Sequence, residues 1–295
     1  MSRPRFFLPA IALAAVAAPV FGGDAEDGDD AMARVSVDPR LIVNQHAYED
    51  SPAGCGPAAM LNAAQFGNPD LQAAYAALLG DRHADRLRFA IDRFFKNKPS
   101  VLYPGMPRWI GHGAQPEDCA NAFRDFLAEA RPEAAARLTG GYLDRRESET
   151  PEAFVARVHQ AMSRSLRAGV PPLLSLRSFV AARDPKRDGE VAWKPARHHF
   201  VVVRAAPAKL REGALGFPFE VIDSNGAALR GAYLFAEAQL GFTVPRGDES
   251  RPGTPWLSGK PFLLVQAPEI PCLQPRGAGW EDRVIVTANY LAGEY

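Results

Sequence analysis

Cys55 is followed by Gly56, Pro57 and the apolar run Ala58-Ala59-Met60-Leu61, so its thiol stands at the start of an apolar helix. Proline supplies a helix-ready φ in the first turn, where its missing N–H costs nothing, and glycine permits close backbone approach. The spacing predicts a helix from Ala58 to about Phe66, ended by Gly67. The positive end of such a helix lies beside the sulfur and favours the thiolate, the attacking form of cysteine. Cys55 is therefore a candidate nucleophile.

A thiol nucleophile needs a base within hydrogen-bond reach and a third group that holds the base in the right tautomer. His199 opens the β-rich run His199-Phe200-Val201-Val202-Val203, and Asp223 ends the run from Phe219, just before the turn Ser224-Asn225-Gly226. If these strands are antiparallel neighbours, pairing Arg204 with Pro218 sets His199 opposite Asp223. Asn225 is the alternative orienter. Gln45 follows an extended stretch from Val35 to Val43 and offers a side-chain amide. With the Cys55 N–H it makes a candidate oxyanion hole.

The other histidines carry weaker signals. His198 falls on the opposite face of the strand and is expected at the surface or in support of the site, and His46 is expected to be a loop histidine. His83, His112 and His159 have no partners at metal-ligand spacing, and there is no HExxH or CxxC, so neither a metal nor a cofactor is expected. Without a G-x-S-x-G turn or a phosphate-binding glycine loop, serine-hydrolase and nucleotide-binding classes fall away.

The elements that position these residues divide along the chain. Leu71 to Leu79 reads as a second helix, and Leu87, Ala90, Ile91, Phe94 and Phe95 recur at helical spacing. Residues 97–115, rich in Pro and Gly with Tyr103, Met106, Trp109 and Ile110 among them, read as a loop that packs over the core and, as a group, can wall a substrate cleft. Pro116 opens a helix carrying Cys119, Phe123, Phe126 and Leu127 on one face; Thr150 caps another, with Pro151 first in it and Gly169 closing it. Beyond this point the period shortens: Leu173 to Leu176, His199 to Val203, Phe219 to Asp223, Phe262 to Val265 and Val284 to Val286 are β-rich runs. Helices first and strands second predict an α+β fold, its N-terminal helical half packed against a mainly antiparallel C-terminal sheet.

The chain has 295 residues, 47% of them apolar and 23% charged, with 34 basic against 34 acidic side chains. That is a globular composition with no basic excess for nucleic acid. Arg3 and Arg5 precede an apolar run from Phe6 to Phe21, so residues 1–22 read as a secretory signal peptide. Asp24, Glu26, Asp27, Asp29 and Asp30 mark residues 23–34 as a disordered acidic leader, and residues 35–295 as one domain. The protein is expected to be exported, periplasmic or secreted, with no stable membrane insertion after signal cleavage. Three cysteines allow one disulfide; Cys119 with Cys272 is the expected pair, three free thiols being the alternative.

Gln45, the run Cys55-Gly56-Pro57-Ala58-Ala59-Met60-Leu61, the strand His199-Phe200-Val201-Val202 and the strand end Val221-Ile222-Asp223 resemble papain-like cysteine peptidases. They are most similar to the group that processes double-glycine leaders of bacteriocins. The resemblance spans residues 41 to about 240 and, with no transporter region, implies a stand-alone relative. It implies a papain-like fold with Cys55 as nucleophile, His199 as general base, Asp223 as its orienter and Gln45 in the oxyanion hole. The implied activity is hydrolysis of a peptide bond in a peptide or protein substrate through a Cys55 thioester. Two alternatives stand beside it. Acyl transfer is one, since phytochelatin synthase looks similar around the cysteine, including Leu61-Asn62-Ala63. A non-catalytic peptide-binding module is the other.

Overall fold

The computed structural model describes residues 31–47, 53–109, 113–183, 191–236, 263–274 and 284–295. The expected signal peptide and most of the acidic leader lie outside the described residues. The end of that leader is ordered: Met32–Arg34 form strand β1, paired antiparallel with Ala205, Ala206 and Pro207.

Six α-helices occupy most of residues 55–167 among the described residues: α1 (Cys55–Gln65), α2 (Pro69–Ala76), α3 (His83–Ala90), α4 (Pro116–Ala130), α5 (Pro132–Arg137) and α6 (Pro151–Arg167). α3 runs on into a π turn at Ile91–Lys96. Their ends follow the local chemistry. The Asn68 side chain accepts from the Leu71 N–H at 3.2 Å and Thr150 from the Ala153 N–H at 3.2 Å, each with proline in the following first turn. Gly169, at φ +69, takes the left-handed conformation just beyond α6.

The remaining strands are β2 (Thr139–Tyr142), β3 (Leu173–Arg183), β4 (Val191–Pro207), β5 (Gly216–Asp223), β6 (Ala228–Phe235), β7 (Leu263–Gln266) and β8 (Val284–Gly293). Their neighbours run β4-β3-β8-β7-β6-β5, and β5 pairs back onto β4, with every pairing antiparallel. The strands thus close into a six-stranded antiparallel barrel, to which β1 and β2 add at β4 and β8.

This overturns the expected papain-like α+β arrangement of a helical half against a sheet. Two features close the ring. β6, whose Gly231 and mostly half-buried positions give little periodic signal, bridges β5 to β7. Register shifts at Ser175/Leu176, Ser178/Phe179 and Val203/Ala205 bend the long strands, as bulges do, so that β4 finds partners on both flanks.

Strand alternation sorts the core into two clusters. Leu174, Leu176, Val201, Val203, Phe219, Val221, Leu234, Leu263 and Leu291, of one parity, pack together with Phe154, Val158 and Met162 of α6. Phe200, Val202 and Ile222, of the other, pack with Met60, Leu61, Phe94 and Phe123 of the helical layer. Adjacent residues of β4 therefore answer to different layers.

Candidate active site

α1 starts at Cys55 itself, three residues before the predicted start. Its first turn is held against β4 and α4 by an absence of side chain at Gly56. A Cβ there would stand 2.4 Å from Cys119 Sγ and 3.5 Å from the Phe200 ring. Cys55 is half-buried at the positive end of this helix. Burial works against its thiolate, but the hydrogen bond and charge of His199, with the Phe200 and Gly56 N–H groups, outweigh it and hold the thiol below its ordinary value.

His199 is 3% exposed, and its Nε2 donates to Asp223 Oδ1 at 2.7 Å. Nδ1 is then the ring nitrogen left for sulfur. Burial disfavours the imidazolium, yet the Asp223 carboxylate and hydrogen bonds to the Cys272 and Cys55 sulfurs raise the ring well above the usual histidine range. Asp223 is fully buried. Its Oδ1 also accepts the Asn225 N–H at 2.8 Å, whereas Oδ2 has no hydrogen-bond partner among the described residues. The imidazolium is therefore the main compensation for a buried charge.

The pairing reaches this contact by another register than Arg204 opposite Pro218. Val203 faces Val221 and Ala205 faces Glu220, leaving Arg204 as the extra residue of a bulge. The ladder ends at Val202 with Ile222, so Asp223 reaches His199 diagonally rather than from directly opposite. Asn225, the alternative orienter, turns its side chain elsewhere: its Oδ1 accepts from His46 Nε2 at 2.8 Å.

Gln45 is buried and tied to the turn after β5. Its N–H donates to the Ser224 carbonyl at 3.0 Å, and its Oε1 accepts from Ser224 Oγ at 3.1 Å. With Oε1 engaged, the Nε2 group is the amide's donor end. The segment that carries it is clamped to α1 by Asn62, which accepts the Val43 N–H at 2.8 Å and donates to the Val43 carbonyl at 3.1 Å. Asn62 is wholly buried and acts as a short piece of β-ladder between α1 and the extended segment at Val43.

Gln45, Cys55, Ala114, His198, His199 and Cys272 all line one cleft of about 820 Å³. The structure thus brings the four sequence-derived site residues together, with Asp223 behind His199. His198 belongs to this cleft and not to the outer surface. Its Nε2 meets Ser175 Oγ at 2.8 Å and its ring stands edge-on to Phe200 at 4.8 Å. Burial, then the Arg177 and His199 charges, push it well below the ordinary histidine value, so it stays neutral. Of the aromatic loop, Ile110 and the two residues after it lie outside the described residues. Residues 97–109 fold on themselves, Ser100 N–H bonding Met106 and Arg108 N–H bonding Lys98, while Trp109 packs edge-on against Phe95 at 6.3 Å. Gly113 and Ala114 reach the cleft from this side.

The expected Cys119–Cys272 disulfide is absent, and all three cysteines are free. Cys119 is buried in the helical layer against Gly56, whereas Cys272, on the short turn Pro271–Leu273, faces the cleft. Sequence reading missed Cys272 as a cleft residue, and it missed Asn62 and Ser224 as supports. The only hint for Cys272 was that it made an odd count. Among the described residues no three His, Cys, Asp or Glu side chains are grouped to hold a metal ion. Comparisons of the chain with protein-family models, with curated proteins and with solved structures found no match.

Proposed function

We propose that the protein is a thiol hydrolase that cleaves a peptide or amide bond through a Cys55 thioester. The observation that carries this reading is the buried Asp223–His199 pair, 2.7 Å apart, in one cleft with a thiol at a helix N-terminus. In this reading the Cys55 thiolate attacks the carbonyl carbon, and the carbonyl electron pair moves to oxygen. The Gln45 Nε2 and the Cys55 N–H donate to that oxyanion. Collapse expels the amine, which takes the proton from His199 and leaves the acyl group on sulfur. A water molecule then gives its proton to His199 and attacks the thioester, releasing the acid and restoring the thiolate. Asp223 holds the imidazole by Nε2 throughout and stabilises its cation. The likeness to papain-like peptidases around Cys55 and His199 supports a peptide as substrate, and residues 1–22 would take the protein out of the cytoplasm.

A mixed pool of peptide amides, with products read by mass spectrometry, tests the reading. Turnover that disappears in Cys55→Ala and His199→Ala, with an acyl group on Cys55 trapped by hydroxylamine, is the expected result. Equal turnover in Cys55→Ala would overturn it.

A further inference from the structure

The cleft holds a second thiol that hydrolysis does not use. Cys272 is partly exposed on the turn Pro271–Leu273, whose flanking Ile270 and Leu273 side chains are fully buried and anchor it. It lines the same cleft wall as Cys55 and His199. α1 and this turn both pack against β4, the strand that carries His199, and both sulfurs help to raise that ring. Cys119 is the contrasting case, 1% exposed and packed away from the cleft. Two partly exposed thiols in one cleft, one of them held below its ordinary value, make an arrangement in which oxidation of the first can be resolved by the second.

We propose that Cys55 and Cys272 form a reversible disulfide across the cleft, making the pair a redox-modification site for peroxides. This rests on the reading of Cys55 as an activated thiol. The Cys55 thiolate attacks one oxygen of hydrogen peroxide and the O–O bond breaks. His199 protonates the departing hydroxide to water, and Cys55 is left as the sulfenic acid. The Cys272 sulfur then attacks the Cys55 sulfur; the S–O bond breaks and the oxygen leaves as water with the Cys272 proton. Two thiols lose two electrons and one peroxide becomes two waters. The disulfide removes the nucleophile, and a dithiol reductant returns it.

The full-length mature protein, treated with hydrogen peroxide, blocked with iodoacetamide and digested without reductant, tests this. A Cys55 peptide joined to a Cys272 peptide is expected, lost on adding dithiothreitol, with Cys119 alkylated only after unfolding. In Cys272→Ser the cross-link vanishes and dimedone captures the Cys55 sulfenic acid. Oxidation that stops at Cys55 sulfinic acid in the native protein, a cross-link to Cys119, or no cross-link at all overturns the proposal. Iodoacetamide alkylation of Cys55 below neutral pH in Cys272→Ser separates the two readings. If that reactivity persists without a cross-link in the native protein, only the redox site fails; if Cys55 reacts no faster than an ordinary thiol, the hydrolase reading fails as well.

Discussion

Gly56→Ala tests whether the seat of Cys55 is as tight as the geometry says. The added methyl would stand 2.4 Å from Cys119 Sγ, well inside contact distance, and 3.5 Å from Phe200, which is ordinary packing. Forcing an extra methyl into a packed site costs about 1–3 kcal/mol. Replacing glycine by alanine in a helix returns about 1 kcal/mol. The single variant should therefore lose up to about 2 kcal/mol by this balance. Removing the sulfur with Cys119→Ala takes away the clash and leaves the helix gain. In that background Gly56→Ala should be neutral or stabilising by up to about 1 kcal/mol. Urea unfolding of the parent, both single variants and the double variant gives the coupling directly, provided the m values agree. Equal costs in the two backgrounds would refute the idea that Cys119 sets the approach of α1, and with it the account of why glycine follows Cys55.

Three further outcomes follow from the same geometry. In His199→Ala the burial of Cys55 remains while only the Phe200 and Gly56 N–H groups are left to offset it, so the pH at which iodoacetamide reacts should move up to or past the ordinary thiol value of roughly 8.5; Asp223→Asn, which lowers the His199 pKa, should move it in the same direction by less. Asn62→Leu orphans the buried N–H and carbonyl of Val43, which at about 1–3 kcal/mol each predicts a loss of about 2–6 kcal/mol in chemical unfolding. His198 is held well below its unfolded value of roughly 6.5, so its neutral form contributes stability above that pH and the contribution is lost as pH falls toward the folded value. His198→Asn should flatten the acid limb of the stability–pH curve, and an unchanged limb would count against that assignment.

What the sequence revealed depended on whether a residue's role was local. Thr150, Pro151 and Gly169 announce both ends of α6 because capping is decided within a turn or two. Cys55 was conspicuous for the same reason, with Gly56 and Pro57 beside it. Barrel closure was not legible: it depends on β5 pairing with β4 as well as β6, and on bulges that no run of residue types marks. The His199–Asp223 contact lies between these cases. Strand ends drew attention to both residues, but the bulge at Arg204 changed the register that joins them. Cys272 was hidden because a turn flanked by prolines carries no period that says which way its thiol faces.

The split of the site between two layers also sets when it can exist. Cys55 belongs to the first helix, but its imidazole partner arrives on β4 and the carboxylate on β5, and the ring that positions both closes only when β8 has paired with β3 and β7. Contacts so distant along the chain form late, since loop closure must precede them. Cys55 therefore gains His199 and Asp223 as neighbours only when α1 docks against β4 and β5. With Cys55 activated as proposed, the rate at which it becomes alkylatable below neutral pH during refolding should trace that docking, making the thiol its own clock for the completed fold.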